Sequence, residues 1–358
     1  MAREILRPPR GRGATLNPEG RFEPIARAAH DDGWGDLPEE PRQVPTVVAD
    51  ETARSIISRN DSPDIPFTQS INPYRGCEHG CIYCYARPSH GYLNLSAGLD
   101  FETRLFAKVN AAEVLRRELG KPGYRCQPIA FGTNTDPYQP AERERGIMRA
   151  LLSVLAECDH PFTITTKSAL VERDLDLLAP MARKGLARVY LSVTTLDRPM
   201  ARRLEPRASA PLRRIEAIRR LTDEGVPAGI MTAPVIPFLT DDQMESVLEA
   251  AAGAGAREAG YLILRLPHEV KDLFRAWLRH HYPLKAAHVM SRLREMRAGA
   301  DNDPRFGTRM TGEGVLARLI AQRFRVACER LGLNRERRGD LDCGRFRPPG
   351  AQAQSSLF

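Results

Sequence analysis

No uncharged apolar run in this sequence approaches the roughly twenty residues that a bilayer-spanning helix needs. The opening Met-Ala-Arg-Glu-Ile-Leu-Arg-Pro-Pro-Arg has no apolar stretch of the kind a secretory signal carries. A cytoplasmic protein without membrane contact is therefore expected. The chain also lacks an even cysteine count: there are seven, three of them within eight positions, which makes a poor disulfide framework. Metal binding is the better reading of the close trio. There is no acidic excess either; the formal charge is +8, a balance that favours polyanionic partners such as nucleic acid, although a solvated surface explains it as simply.

With 358 residues, 42% of them hydrophobic, the chain can build one large α/β barrel with appendages or two ordinary domains. Residues 1–60 are rich in Pro, Gly, Arg and acids, which predicts an extended, partly disordered arm, with Trp34 as an anchor onto the body. From Pro66 onward, short apolar or β-branched runs alternate with amphipathic helical stretches about every thirty residues, the rhythm of a βα repeat. Six strands are expected, near Phe67–Asn72, Pro128–Gly132, Phe162–Thr166, Arg188–Val193, Ala228–Met231 and Tyr261–Arg265. Asn110 with Glu113, and Thr240 with Gln243, read as capping boxes, and Gly185 and Gly225 as helix stops. The fold class is α/β, a partial (β/α)6 TIM-type barrel over residues 61–268. A helical extension spans 269–347, including a helix over 313–331 whose Leu316, Leu319, Ile320, Ala327 and Leu331 form one face. A flexible tail occupies 348–358.

The trio lies in Asn72-Pro-Tyr-Arg-Gly-Cys77-Glu-His-Gly-Cys81-Ile-Tyr-Cys84-Tyr-Ala-Arg, directly after the first barrel strand. A closed zinc site wants four ligands, and no fourth cysteine is close by, so zinc would need His79 or His90. Three thiolates on a cubane instead leave one iron free for a substrate or cofactor. The other expected strand ends carry Gly132-Thr-Asn-Thr-Asp, Thr165-Thr-Lys-Ser, Ser192-Val-Thr-Thr, Thr232-Ala-Pro, and Arg265 with His268. These are polar groups on the rim where βα barrels hold their ligands.

The C-x3-C-x2-C spacing, with Tyr83 just before the third cysteine, resembles the cluster motif of the radical S-adenosylmethionine (SAM) superfamily. The segments around Cys84-Tyr, Thr166-Lys167, Leu191-Ser192, Leu204-Glu-Pro, Arg214-Ile-Glu-Ala and Ala233-Pro resemble its spore photoproduct lyase branch and the DNA-repair-photolyase-like relatives, over about 61–268. The resemblance implies a 4Fe–4S cluster on Cys77, Cys81 and Cys84. It also implies SAM contacts from Tyr83, Thr133, Lys167 and Ser192, and reductive SAM cleavage to a 5′-deoxyadenosyl radical driven by a reductant such as flavodoxin or ferredoxin. Lys167 suits the SAM carboxylate and Ser192 its ribose or amino group.

The lyase returns a hydrogen atom from a cysteine in the loop after the second strand, whereas this loop reads Phe131-Gly-Thr-Asn-Thr-Asp. Cys126, upstream, reads as a buried structural thiol, and no other catalytic residue is assigned, although Tyr85, Tyr124 and Tyr138 are chemically able to relay hydrogen. The terminal Gln354-Ser-Ser-Leu-Phe358 resembles the peptide that docks bacterial repair proteins on the DNA sliding clamp, with Ser355 at a usually aliphatic place. The expected activity is lyase-like radical chemistry on a nucleic acid, in DNA repair or base modification, with phosphate contacts from Arg335, Arg337, Arg338 and Arg345. Radical modification of RNA, a peptide or a small molecule is the enzymatic alternative. A non-catalytic iron–sulfur or zinc DNA-binding protein is the other.

Overall fold

A computed structural model of the chain describes residues 9–22, 43–335 and 339–350. Trp34, Arg337, Arg338 and Gln354–Phe358, to which roles were assigned above, lie outside the described residues. Ten strands follow in order: β1 (Val47–Glu51), β2 (Ile57–Arg59), β3 (Gln69–Ile71), β4 (Tyr74–Arg75), β5 (Arg104–Lys108), β6 (Ile129–Phe131), β7 (Phe162–Thr166), β8 (Ala187–Ser192), β9 (Ala228–Val235) and β10 (Glu258–Ile263). The main sheet runs β10-β9-β8-β7-β6-β3-β2, parallel throughout except for β2, which pairs antiparallel with β3. Its six parallel strands are the six expected from the sequence, each overlapping its predicted position. Their alternation with helices buries β-branched and aliphatic residues on both faces of the sheet.

A second sheet, β1-β5-β4, joins residues 47–51 of the amino-terminal region to the stretch after the cysteines. Neither β1 nor β5 was foreseen. Both are five-residue strands flanked by charge, too short for alternation to stand out against the helical patterns beside them.

Three helix-level expectations are corrected. Asn110 does not cap its helix, Ala111–Leu119; its carboxamide instead pairs with the Ala53 backbone through bonds of 2.8 and 2.9 Å. Thr240 and Gln243 likewise share only a backbone bond, without the side-chain bonds of a capping box. The Gln243 Oε1 accepts from the Thr195 hydroxyl and the Leu196 N–H, so the residue fastens the loop after β8 rather than its own helix. On helix Gly314–Leu331, Ala317, Ile320, Ala327 and Cys328 face inward, while Leu319 is half exposed. Gly185 and Gly225 do end their helices, with φ of 74° and 76°.

The amino-terminal segment is held from the inside. Arg87 and Glu102 form a fully buried ion pair at 2.5 Å, and the Glu102 carboxylate also accepts the Gly13 and Ala14 N–H groups at 2.9 and 2.8 Å. Gly13 is needed here, because a Cβ would stand 1.9 Å from the Gly80 carbonyl oxygen. Glu102→Ala would leave Arg87 charged and buried and two amides without acceptors. The variant is expected to lose about 3–5 kcal/mol of stability, read as a lower urea midpoint at unchanged slope; a loss under about 1 kcal/mol would refute this role.

Candidate functional site

The cysteine loop leaves β4 and folds as a series of tight turns, with the Gly80 and Cys84 N–H groups donating to the Cys77 and Cys81 carbonyls. Its edges are pinned to distant chain: Cys77 N–H to Phe101 O, Ile82 N–H to Leu204 O and Arg207 N–H to His79 O, at 3.0 to 3.2 Å. Arg87 completes the clamp by donating to the Gly80 and Cys81 carbonyls at 3.1 and 2.9 Å. The loop backbone is therefore fixed before any ligand enters.

Cys77, Cys81 and Cys84 line one cavity at the carboxyl ends of the strands, together with Tyr83, Thr133, Lys167 and Ser192. The tertiary structure thus gathers all seven residues selected from the sequence. Asp136, His79, Tyr85, Met231 and Arg265 share the lining. His268 does not: it is exposed, in a left-handed conformation with φ of 51°. Gly132, at the end of β6 with φ of 86°, lets that strand come against β7, where a Cβ would meet Thr165 O at 1.9 Å.

Burial pushes all three thiols upward, so a cationic centre is what would hold them as thiolates. Among the described residues, no three His, Cys, Asp or Glu side chains converge as they would around one ion. A closed zinc site needs such convergence, whereas thiolates on a cubane bind different irons and stand further apart. His90, one candidate fourth ligand, turns away to the Arg104 carbonyl at 3.0 Å and packs edge-on against Phe101. His79, the other, is 1% exposed, and neither ring nitrogen makes a well-formed hydrogen bond; Nδ1 lies 3.3 Å from Asp136 Oδ2. A buried imidazole that leans on Asp136 through Nδ1 and whose Nε2 has no partner, beside three thiols, fits a cavity that takes a polar, metal-bearing group.

Asp136 organises the strand ends. Burial acts to raise its carboxyl, but His79, the Thr166 hydroxyl at 2.7 Å and the Lys167 N–H at 2.8 Å hold it down at about 2. Lys167 is thereby oriented from its backbone, with its ammonium 5.8 Å from the Tyr83 ring centre. Among the described residues that ammonium has no carboxylate within ion-pair distance, as a residue awaiting an anion requires. Thr133 Oγ1 is held by the Asn72 carboxamide at 3.0 Å, and Ser192, 3% exposed, fixes Arg214 through its carbonyl at 2.7 Å.

Glu205 and Arg214, in the segments Leu204-Glu-Pro and Arg214-Ile-Glu-Ala, acquire a task only in the tertiary structure. Arg214 forms a buried ion pair with Glu205, which in turn accepts the Tyr83 hydroxyl and, at 2.8 Å, the Thr194 hydroxyl. Tyr83 is therefore fixed by its hydroxyl, leaving only the ring for the cavity. In the sequence this pair is no more than two opposite charges nine positions apart, with Arg207 and Arg213 between them, and many surface pairs look the same. Cys126 is only half-buried, at the other end of the barrel, where its thiol meets that of Cys343; it lies apart from the cavity. Cys158 and Cys328 are buried in the core.

The family model of the Radical SAM superfamily matches residues 71–251. Uncharacterized proteins of Mycobacterium tuberculosis (strain H37Rv) and Mycobacterium bovis are 38% identical over 234 residues, covering 65% of this chain and 68% of theirs. An uncharacterized protein of Methanocaldococcus jannaschii is 27% identical over 171 residues, covering 48% of this chain and 61% of its own. The solved structure of spore photoproduct lyase complexed with dinucleoside spore photoproduct superposes with a TM-score of 0.58 at 16% identity, covering 80% of each chain, a likeness of fold.

The Glu205 network generates a pH test. Burial acts to raise the Glu205 carboxyl, but Arg214, Lys167 and the Tyr83 hydroxyl outweigh it, and the net value falls from 4.5 to about 2. A folded value below the unfolded one contributes stability that is complete above about pH 4.5 and lost as pH falls toward 2. Wild type should therefore exceed Glu205→Gln in denaturant stability by a constant margin above pH 5, narrowing in acid. A margin that does not change with pH would refute the ionised pair.

Proposed function

The chain belongs to the radical SAM superfamily, and from that membership we propose that Cys77, Cys81 and Cys84 hold a 4Fe–4S cluster whose open iron takes SAM, for radical chemistry on a nucleic acid. The observation that carries this reading is the single cavity shared by the three cysteines, Tyr83, Thr133, Lys167 and Ser192. When bound, cluster and SAM supply a 5′-deoxyadenosyl radical able to take a hydrogen atom from carbon. The chain's own residues position and shield. Lys167, aligned by Asp136, meets the SAM carboxylate; Ser192 and Thr133 offer hydroxyls to its amino and ribose groups; the Tyr83 ring, immobilised through Glu205, walls the cavity.

The nucleic-acid reading is supported by the +8 charge and by the fold shared with spore photoproduct lyase, whose solved complex holds a dinucleoside. It does not extend to that enzyme's own lesion. Residues 132–136 supply Thr133, Asn134 and Thr135 but no thiol to return hydrogen, and Cys126 stands at the far end of the barrel. Base repair or modification of another kind is the proposal, with a small reduced protein such as flavodoxin or ferredoxin as electron source. Docking on the sliding clamp through Gln354–Phe358 remains part of the same proposal, carried by sequence alone.

Among the described residues no helix is long and apolar enough to cross a membrane. Anaerobic reconstitution should load about four irons and four sulfides per chain, and dithionite with SAM should then yield methionine and 5′-deoxyadenosine. Cys81→Ala should abolish both products; their continued formation would overturn the assignment. A mobility shift with single- or double-stranded DNA that weakens with salt is expected, and indifference to both would remove the nucleic-acid reading.

A further inference from the structure

Two cations face the cavity, and they do so from different ends. Lys167 follows β7, with its ammonium 5.8 Å from the ring of Tyr83, between Cys81 and Cys84 in the chain, and β8 and β9 separate that strand from β10 in the sheet. Arg265 follows β10 on the opposite wall. Its charge bears on Tyr85, the half-exposed ring that follows Cys84, and on Asp64 and Arg309.

The surroundings of Arg265 are unusual for a guanidinium. Its Nε is buried without a hydrogen-bond partner, and the recorded contact of Nη1 is the Met310 sulfur at 3.5 Å, a weak acceptor. Among the described residues no carboxylate lies within ion-pair distance of it. Asp64, the acid whose charge acts on Arg265, is already engaged by the Arg309 Nε and the Gly307 N–H. The third arginine of the group, Arg297, spends its terminal nitrogens on the carbonyls of Ile263, Leu264, Thr308 and Arg309 at 2.7 to 3.2 Å. Of the three, only Arg265 lines the cavity, and its Nη2 has no partner among the described residues. Burial, then the charge of Arg309, lower its pKa, as expected for a cation short of a counter-charge.

A half-buried guanidinium without an anion is costly, and a ligand that brings the anion removes the cost. SAM offers one carboxylate, for which Lys167 is better placed. The lining that holds Arg265 also carries a ring, the half-exposed Tyr85, which offers a flat apolar face next to a positive group. A stacking face beside an arginine with an unpartnered terminal nitrogen suits a nucleotide, whose phosphate accepts from that nitrogen while its base lies on the ring.

We propose that Arg265 is the substrate-anchoring residue of this site, taking a phosphate of the substrate at the end of the cavity opposite Lys167. The assignment rests on the nucleic-acid reading above and adds the chemical group and the residue that recognise it. Arg309 and Arg297 are positioning residues: they hold the 305–310 loop and the β10 terminus so that Arg265 cannot swing to a carboxylate of its own.

The test uses reconstituted full-length protein under anaerobic conditions, with calorimetric titration of SAM, inorganic phosphate, the dinucleotide dTpdT and its uncharged methylphosphonate counterpart. Wild type should bind dTpdT more tightly than the methylphosphonate. Arg265→Gln should lose about tenfold or more for dTpdT and inorganic phosphate, lose little for the methylphosphonate, and keep SAM affinity and iron content; Arg265→Lys should recover part of the loss. Equal binding of dTpdT by wild type and Arg265→Gln overturns the proposal, as does a parallel loss of SAM affinity or iron, which would make Arg265 a cofactor residue. Failure of wild type to bind either phosphate probe also overturns it. If inorganic phosphate binds through Arg265 while dTpdT does not bind at all, the anion site stands and the nucleic-acid reading fails.

Discussion

The site depends on a charge pair that never sees solvent. Arg87 and Glu102 are both fully buried, and each does more than neutralise the other: the guanidinium holds the carbonyls of Gly80 and Cys81, while the carboxylate holds the amides of Gly13 and Ala14. A buried pair is a poor source of net stability but a strict one of geometry, because neither member can relax without stranding the other. Here the geometry so fixed is that of the loop carrying Cys77, Cys81 and Cys84. A loop that bears ligands without any regular hydrogen-bond ladder needs such an external frame.

The same device recurs one layer further out. Arg214 and Glu205 are a second buried pair, and they immobilise Tyr83 and the end of β8; Asp136, third in the series, ties His79 to the end of β7. Each acid is placed to accept from several donors at once, which is why Asp136 and Glu205 stay ionised despite their burial. Against this background of saturated charges, Lys167 and Arg265 stand out as the cations left open. The barrel has two positive points in its cavity wall, and on the proposed reading one would serve the cofactor and the other the substrate.

Much of the architecture was legible because its signals are local. Six strands could be placed because apolar runs and helix stops such as Gly185 and Gly225 lie within a few residues of the structure they specify. The cysteines could be selected because their ligand spacing is itself the signal. Capping was read wrongly at Asn110 and Gln243 for the complementary reason: a polar side chain at a helix start can serve any backbone that reaches it, and here distant segments at Ala53 and Thr195 reached them first. Leu319 shows the limit of periodicity, since a helical face is buried only where another element covers it.

The sequence by itself determined the order of strands and helices, the three thiols in one loop and the polar character of the strand ends, all matters of neighbours along the chain. Only the tertiary structure decided which charges are spent. Tyr83 meets Glu205 across 122 positions, Arg21 meets Glu269 across 248 and Arg309 meets Asp64 across 245. Pairings of that span leave no periodic trace in one sequence, because any of some fifty arginines and lysines could satisfy any acid until folding brings particular ones together. Arg265 was visible from the start as one cation on the rim; that its guanidinium was left with a sulfur contact and no oxygen acceptor among the described residues is a fact of packing.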